Sequence, residues 1–440
     1  MKWCLKSVVL KRSSIMRLAI CIPTYNNSEI VEELLIRCGD IYKRKSFDVY
    51  IYDSSENEET KVVVNRFQKK YNNLFYTAIK SSVHSNRKVY MIYKKFSEET
   101  RYDYIWVCSD SIRWKENIFD RIEKELEKDY DIIVVNHRDA EKIGTREYND
   151  INQLFLACAW HMTLYGATIL NVKTILNHVD WKYYIRKYCV PNRINFSHLA
   201  LYFEQLSKMD RINALYLAIN PSDFAASPLK KHSKWYGNTF KVWCSYWPDA
   251  IKSLPECYYD ENKKAVIKKS SLYSGILDLN NFLLLRKDNI FNISVYMHYR
   301  KNWKEITDVN PIGILLISVM PDRWAGYILD QRNDLGKLER AVKKFCKKYP
   351  RIYIYGGGYN AAAMAEQLDL LGVEYQGFLV SDISQNRREL REHSIKEFSE
   401  KIFRDPEVGI ILGLNKKNTN EVISKINRKW RKRLLSELDM

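Results

Sequence analysis

Two apolar runs near the start of the chain end in polar residues whose types could do chemistry. One run, residues 17–25, ends at Tyr25, and the other, residues 102–111, carries Asp110. Both runs are typical of buried strands, and in an open α/β sheet the carboxyl ends of neighbouring strands form the rim where ligands bind. A carboxylate that a rigid strand presents there is a good ligand for Mg²⁺ or Mn²⁺ when a diphosphate supplies further oxygens. Asp110 therefore predicts a divalent-metal site.

The residues around Tyr25 predict a nucleoside site near that carboxylate. Pro23 makes the turn after the first strand rigid, and the ring of Tyr25 could stack on a base. Asp53 ends the next apolar run along the chain. Its carboxylate could accept hydrogen bonds from a base or a ribose, and it could equally cap a helix.

Strands and helices alternate over this part of the chain in the order that produces a parallel, helix-covered sheet. The first helix has apolar residues at helical spacing, with Ser28 as its predicted N-cap and Gly39 as its predicted end. Residues 86–95 have a mixed pattern and receive no assignment. The other predicted elements are strands at 17–23, 47–53, 74–80, 103–110 and 131–138 and helices at 59–72 and 115–129.

Changes of pattern predict the domain boundaries. Residues 1–15 form a basic N-terminal extension, 16–235 a first α/β domain, 236–337 a helical, aromatic-rich segment, and 338–440 a small second α/β domain. In this last domain a strand, a glycine turn, an alanine-rich helix and a second strand follow one another. Residues 393–400 are predicted to continue it as a helix.

Composition indicates which partners are compatible with the chain. The 71 Lys and Arg exceed the 53 Asp and Glu, giving a formal net charge of +18, which attracts anionic partners. The sequence has no basic arm, zinc finger or RNP-type motif, and we therefore expect no nucleic-acid partner. The 31 Tyr and 11 Trp favour surfaces that hold sugars or bases.

Cysteine use and hydropathy predict a cytoplasmic protein. The nine cysteines contain no CxxC pair, which favours reduced thiols. The first residues have no apolar core followed by a cleavage site, and the most apolar run, 311–320, is shorter than the ~20 residues that a spanning helix needs. A membrane contact would therefore be peripheral, at the inner face, and an oligomer is left open.

Taken together, three motifs resemble a known family. AICIPTYNNSEIVEELL, YDSS and YIWVCSDS, in this order and each at a strand end, resemble the inverting nucleotide-sugar glycosyltransferases of family 2, over roughly residues 16–235. The resemblance implies the A-type glycosyltransferase fold, which has a mixed, mostly parallel sheet flanked by helices. It also implies a donor-nucleotide site formed by Pro23, Thr24, Tyr25, Asp53, Arg87 and Ser109.

The same resemblance implies a metal site and a general base. Asp110 matches the second acid of the family's Asp-x-Asp motif, and Cys108 replaces the first, so that Mn²⁺ or Mg²⁺ would have a single protein carboxylate. His232, on a late loop, matches a histidine that contacts the metal or the diphosphate. Glu204 is the implied base, with Asp180 and Asp210 as rivals. Three lysines around His232 could neutralise a diphosphate: Lys230, Lys231 and Lys234. Trp235 would line the sugar or acceptor site.

The glycine turn of the last domain resembles the dinucleotide fingerprint of Rossmann-like domains. Gly356 and Gly358 follow a strand and open a helix, Ala361 takes the place of the third glycine, and Asp382 ends the next strand. A ligand there is one interpretation, and a structural or regulatory addition is the other.

The function that follows from the resemblance is transfer of a sugar from a nucleotide-diphosphate sugar, with inversion at the anomeric carbon. The first candidate donor is a UDP-sugar. The predicted acceptor is a glycan, a lipid-diphosphate sugar or an anionic polymer in surface polysaccharide biosynthesis, such as capsule or cell wall. Two alternatives stay open: a bifunctional protein whose last domain binds or modifies a nucleotide sugar, and a catalytically inactive glycan-binding scaffold.

Overall fold

The computed structural model describes residues 16–83, 85–136, 144–220, 223–227, 229, 235–332, 334–385, 388–391, 393–414 and 416–436. The chain divides into two units. The first comprises Met1–Phe282 and Ile290–Val319, and the second comprises Leu283–Asn289 and Met320–Met440.

A mixed sheet of eight strands forms the core of the first unit, in the order β3-β2-β1-β4-β8-β6-β9-β7. Neighbours pair in parallel except that β8 runs antiparallel to β4 and β6, and β7 to β9. A separate two-stranded ribbon pairs β5 with β10. The strands of this unit are β1 (Leu18–Thr24), β2 (Asp48–Asp53), β3 (Leu74–Ala78), β4 (Tyr104–Val107), β5 (Ile112–Trp114), β6 (Ile132–Asn136), β7 (Arg146–Tyr148), β8 (Thr168–Asn171), β9 (Ala214–Ala218) and β10 (Phe224–Ala226).

Helices flank this sheet, and the predicted mixed, mostly parallel, helix-flanked architecture is confirmed. The helices are α1 (Ser28–Arg44), α2 (Glu59–Gln68), α3 (Ser85–Ser97), α4 (Glu116–Leu126), α5 (Ile151–Cys158), α6 (Trp181–Tyr188) and α7 (Ser197–Leu206). Helix α3 covers the residues that received no assignment. Its buried Val89, Ile92, Tyr93 and Phe96 have the spacing of one helix face.

The prediction that Gly39 ends the first helix is wrong. Helix α1 continues to Arg44, and a Cβ at Gly39 would lie 2.5 Å from the ring of Tyr71. The glycine is therefore needed for the close approach of a buried tyrosine, not for a turn.

The middle of the chain is helical, as predicted. Three of its tryptophans, Trp243, Trp247 and Trp303, are buried, so much of its aromatic content forms a core. Many tyrosines of the first unit are buried too, which means that the tyrosine count reflects packing as well as surfaces for ligands. The helices here are α8 (Thr239–Lys241), α9 (Trp247–Lys252), α10 (Asp260–Ser274), α11 (Leu279–Lys287), α12 (Ile293–Tyr299), α13 (Trp303–Ile306) and α14 (Pro311–Val319).

The second unit contains a six-stranded sheet in the order β13-β14-β12-β11-β15-β16. All pairs are parallel except β13 with β14, and this order around β11 is that of a doubly wound, Rossmann-like sheet, as predicted. Its elements are α15 (Asp322–Arg332), α16 (Asp334–Lys348), β11 (Arg351–Tyr355), α17 (Tyr359–Leu370), β12 (Phe378–Val380), β13 (Glu389–Leu390), β14 (His393–Glu397), β15 (Val408–Leu412), α18 (Lys416–Lys425) and β16 (Leu434–Leu435).

The prediction of a helix at residues 393–400 is wrong. His393–Glu397 is strand β14, which pairs with β12 through Phe378 and Ile395. Pairing with a neighbouring strand overrides the local helical preference of this short polar segment. Among the helices of the described ranges, none combines the length and the apolar character that crossing a membrane requires.

Candidate functional site

The carboxyl ends of β2, β1 and β4, which are adjacent in the sheet, bring polar side chains to one rim. Thr24 at the end of β1 is in register with Asp53 at the end of β2. The hydroxyl of Thr24 donates a hydrogen bond of 2.9 Å to Asp110 Oδ2, although 86 residues separate the two in sequence. Both side chains are buried, and this contact joins the two runs on which the predicted site rests.

Asp110 has additional partners in the loops beside it. The side-chain amide of Asn27 donates to the same Oδ2 at 2.8 Å, and the hydroxyl of Ser109 lies 3.5 Å from Oδ1. Asn27 precedes α1, so this carboxylate ties the start of a helix to the end of β4. Asn27 was not among the predicted site residues.

The loops that follow β1 and β2 are also joined by hydrogen bonds. Asp53 accepts from the Ser55 amide at 2.8 Å and from the Tyr76 hydroxyl at 2.9 Å, so it stabilises its own turn. The Tyr25 hydroxyl donates to Glu56 at 2.8 Å, and this hydrogen bond raises the pKa of Tyr25. Tyr25 and Pro23 are half-buried beside this turn. Tyr25 and Asp53 thus belong to two neighbouring loops that hydrogen bonds hold together.

A buried lysine at this rim was missed by the sequence prediction. Lys88 is 2% exposed, and its ammonium donates to the Thr24 carbonyl at 2.6 Å and to the Ser54 hydroxyl at 2.9 Å. Arg87, the predicted cation, is exposed. The apolar spacing of α3 was the signal that could have identified the buried position. Because α1 and α3 also begin at this rim, their N-terminal amides add positive potential there.

A buried guanidinium fixes the turn that carries Asp110. Arg113 is 4% exposed and donates to the Asp110 carbonyl at 2.5 Å, to the Ile30 carbonyl at 2.7 Å and to Glu33 at 3.1 Å. Glu33 also accepts a hydrogen bond from the Ser227 hydroxyl. Arg113 therefore links β5, α1 and the residue after β10 around the Asp110 turn.

The residues around Asp110 are compatible with a divalent ion only if a substrate completes the coordination. Among the described residues, no group of three or more His, Cys, Asp or Glu side chains converges to hold a metal. Cys108 is buried, and burial raises the pKa of its thiol well above its usual value, so it does not replace a carboxylate as a ligand for a hard cation. Asp110 would supply one oxygen ligand, and diphosphate oxygens and water would supply the rest.

Glu204 makes its hydrogen bonds with side chains of α6. It is 6% exposed on α7, accepts from the Tyr188 hydroxyl at 2.5 Å and pairs with Lys187 at 3.1 Å. Burial and the neighbouring carboxylate raise the pKa of Tyr188. Of its rivals, Asp180 caps α6 through the Tyr183 amide, and Asp210 is exposed.

The residues predicted on the late loop fall into two groups. Trp235 is 38% exposed, and its ring packs edge-on against Trp243 with centroids 5.9 Å apart. His232, Lys230, Lys231 and Lys234 lie outside the described residues.

In the second unit, the glycine turn precedes α17 as predicted. Gly356 has φ +136°, and a Cβ there would lie 2.8 Å from the Gly413 carbonyl, so packing alone requires this glycine. Gly358 has open space where a Cβ would be. Asp382 accepts from the Ser384 amide at 2.8 Å and from its hydroxyl at 2.6 Å.

Comparison with known proteins gave matches among solved structures. No family model matches the chain, and no curated protein matches it. One similar structure is TarS from S. aureus, at 15% identity and a TM-score of 0.37, with 66% of this chain and 55% of that chain covered. The chain thus spans little more than half of TarS.

Two other similar structures are enzymes by name. Mannosyltransferase PcManGT from Pyrobaculum calidifontis, in complex with GDP-Man and Mn²⁺, aligns at 12% identity and a TM-score of 0.37 over 69% of this chain and 86% of that one. Glucosyl-3-phosphoglycerate synthase from Mycobacterium tuberculosis, with Mn²⁺, UDP-Glc and phosphoglyceric acid, aligns at 8% identity and a TM-score of 0.36, over 55% of this chain and 81% of that one. With every TM-score here below 0.5, function has to be inferred from the site itself.

The Arg113–Glu33 pair generates a prediction about acid stability. Burial opposes ionisation of Glu33, but its hydrogen bond with Ser227 and the charge of Arg113 lower its pKa overall. Because the folded-state pKa of Glu33 is lowered, the pair's contribution to the free energy of unfolding is complete above the unfolded-state pKa of about 4.3. That contribution is lost as the pH falls through the folded-state pKa. We expect Glu33→Gln to lower the free energy of unfolding at pH 7 by about 3 kcal/mol and to flatten its decline at acid pH.

The matched control is Glu32→Gln on the same helix. Glu32 pairs with Arg66 at the surface, with side chains 37% and 58% exposed, so its loss should cost less than about 1 kcal/mol. Urea unfolding between pH 3 and 7 measures both variants. The assigned role of the pair would be contradicted if both variants lost the same free energy of unfolding. It would also be contradicted if the free energy of unfolding of Glu33→Gln and of the wild type changed in parallel with pH.

Proposed function

We propose that the chain is an inverting glycosyltransferase that takes a sugar from a nucleotide-diphosphate donor, a UDP-sugar first, for surface polysaccharide biosynthesis. The observation that carries the proposal is the buried hydrogen bond between Thr24 and Asp110, because it joins the two motifs of the resemblance at one rim. Asp53 ends the strand beside Thr24, and Lys88 adds a buried cation. A carboxylate, a cation and a half-buried tyrosine together suit a nucleoside diphosphate.

In the proposed reaction, the donor's nucleoside lies against Tyr25 and Asp53. The diphosphate approaches Lys88 and the first turns of α1 and α3, whose positive potential favours the charge that develops on the leaving group. Asp110, with His232 as the second predicted ligand, would hold a divalent ion, which when bound supplies Lewis-acid stabilisation of that leaving group. No covalent sugar intermediate is required for inversion.

For the acceptor, we propose Glu204 as the group that accepts the hydroxyl proton. To do so, its carboxylate would exchange the hydrogen bond from Tyr188 for one from the acceptor hydroxyl. Lys187 would compensate the buried negative charge in the free enzyme. Trp235 remains the proposed aromatic contact for the sugar or acceptor, because its ring is partly exposed.

The first test identifies the donor and examines Asp110. A panel of nucleotide sugars, each with Mn²⁺, is screened for thermal stabilisation, where a ligand at 100 times its Kd should stabilise the fold by about 2.7 kcal/mol. With the donor identified, we expect Asp110→Asn to reduce donor turnover by about 10²-fold or more.

The control for Asp110→Asn is Asp103→Asn at the opposite end of β4, where Asp103 contacts the Arg17 amide and Lys173. It should leave turnover unchanged. Equal turnover in wild type and Asp110→Asn would reject the mechanism. Donor binding without turnover, whichever metal ion is added, would favour the inactive scaffold.

A second test addresses Glu204. Glu204→Gln keeps the side-chain shape and removes the base, so kcat should fall by about 10² to 10⁴ while the donor KM stays within a factor of two or so. Tyr188→Phe is the matched control, since it removes the hydroxyl that donates to Glu204 and leaves the carboxylate in place. If Glu204→Gln lowers the melting temperature and leaves kcat intact, the carboxylate has a structural role beside Lys187 and is not the base.

We also propose a peripheral contact with an anionic membrane from the cytoplasmic side, where lipid-linked acceptors would lie. Helices α12 and α14 of the first unit leave five large apolar side chains exposed. These are Ile293, Met297, Ile312, Leu316 and Val319. Exposed Arg300, Lys301 and Lys304 follow α12 in the chain, and this combination of apolar and basic groups suits an anionic lipid surface.

Vesicle sedimentation tests this contact. We expect binding to vesicles that contain phosphatidylglycerol to exceed binding to phosphatidylcholine alone, and Leu316→Glu to reduce it by about fivefold or more. Ile36→Glu is the control, because Ile36 is 61% exposed on α1, outside this face. Equal effects of the two variants would contradict the contact. A dimer that Leu316→Glu dissociates would instead identify the face as an interface between two copies.

A further inference from the structure

A cavity of about 340 Å³ lies in the helical part of the first unit, among residues that no predicted role includes. One wall comes from residues 237–241, which contain α8, and the other from residues 290–299, which contain α12. We call it the α8–α12 cavity. Its size is sufficient for a monosaccharide or a phosphorylated fragment of a larger glycan.

Two basic side chains line the α8–α12 cavity. They are Lys241 and His298, and the lining contains no acidic residue. Within the described ranges, neither forms an ion pair with a carboxylate. Lys241 lies over the ring of Tyr246, 5.5 Å from its centroid, and a hydrogen bond with that tyrosine raises the pKa of Lys241. Positive charge in a concave surface without a compensating acid attracts an anion.

Neutral hydrogen-bonding groups complete the lining. Asn238, Ser294 and Tyr299 offer amide and hydroxyl groups, which suit phosphate oxygens and sugar hydroxyls. Phe240 is 5% exposed and stacks on Phe291 with ring centroids 5.0 Å apart, so one wall is rigid. A phosphate group carries a charge of about −1.5 to −2 on three acceptor oxygens, whereas a carboxylate carries a single charge on two.

The position of the cavity in the chain relates it to the proposed donor site. Its first lining residue, Gly237, follows Trp235 closely, and Trp235 in turn follows β10. Strand β10 pairs with β5, immediately after the Asp110 turn, and the Ser227 amide donates to the Ser111 carbonyl at 2.8 Å. Ser227, which is hydrogen-bonded beside the Asp110 turn, therefore precedes the first residue of the cavity lining by ten positions in the sequence.

We propose that the α8–α12 cavity is an acceptor subsite that binds a phosphate group of a phosphorylated glycan or polymer. Lys241 provides the charge, and His298 and the neutral groups orient the phosphate and the sugar next to it. This inference rests on the proposed transferase function and specifies its acceptor class. The anion at this site belongs to the acceptor, and the donor's diphosphate belongs to the rim.

The test is ligand-observed NMR on the full chain with glucose 6-phosphate, glucose and glucuronate. We expect glucose 6-phosphate to bind more tightly than glucose or glucuronate and its Kd to rise with salt. Lys241→Gln and His298→Gln should each weaken it about tenfold, as expected for the loss of one charge-assisted hydrogen bond. Lys264→Gln, at an exposed lysine on α10, is the matched control and should bind like the wild type. Melting temperatures should be equal in all four proteins.

Three results would overturn the proposal. Equal affinity in Lys241→Gln and Lys264→Gln would mean that binding reflects general surface charge. Glucose binding as tightly as glucose 6-phosphate would remove the role of the phosphate, and equal binding of glucuronate would remove its selectivity. In an active enzyme, Lys241→Gln should raise the KM for a phosphorylated acceptor and leave the donor KM unchanged.

The same experiment separates this proposal from the transferase proposal. Asp110→Asn should bind glucose 6-phosphate like the wild type, because the cavity does not include the rim. If no nucleotide sugar binds while Lys241→Gln still weakens glucose 6-phosphate, the transferase function fails and the phosphate site stands. If donors turn over while glucose 6-phosphate does not bind, only the subsite fails.

Discussion

The buried guanidinium of Arg113 is the constraint on which the candidate site depends. A charge at this depth is costly to desolvate, and it is tolerated because its donors reach the Asp110 and Ile30 carbonyls and the Glu33 carboxylate. These acceptors belong to the Asp110 turn and to α1. Removing the guanidinium would take one donor from each of these acceptors, and Glu33 would keep the Ser227 hydroxyl and Arg37. Arg113 therefore holds the Asp110 turn and α1 in one arrangement.

On this base, the polar side chains at the strand ends form a largely buried cluster with both signs of charge. Thr24 and Asn27 donate to Asp110, and Lys88 donates to the end of β1, so acid and cation lie around one strand end. Such a cluster at the rim suits a ligand with a neutral base and a charged diphosphate, because the groups are ordered before the ligand arrives. The same strand–helix order directs helix N-termini to this rim.

Local pattern predicted the elements better than it predicted their partners. The first strands and most helices follow from apolar spacing, since burial of one face imposes the period. Gly39 and residues 393–400 are the informative errors. Gly39 is explained by Tyr71, which approaches from 32 residues away. Strand β14 is explained by its pairing with β12. In both cases a contact from a distant segment decided the outcome.

The sequence by itself indicated that apolar strands lead to Thr24, Asp53 and Asp110, and it indicated a nucleotide site from those residue types. Only the tertiary structure decided which neighbours they have. It buried Lys88 and exposed the adjacent Arg87, because one face of α3 packs against the first unit's core and the other faces solvent. It also placed Glu204 in an ion pair with Lys187 and in a hydrogen bond with Tyr188. Residue types and spacing define what a side chain can do, whereas packing of distant segments defines what it meets.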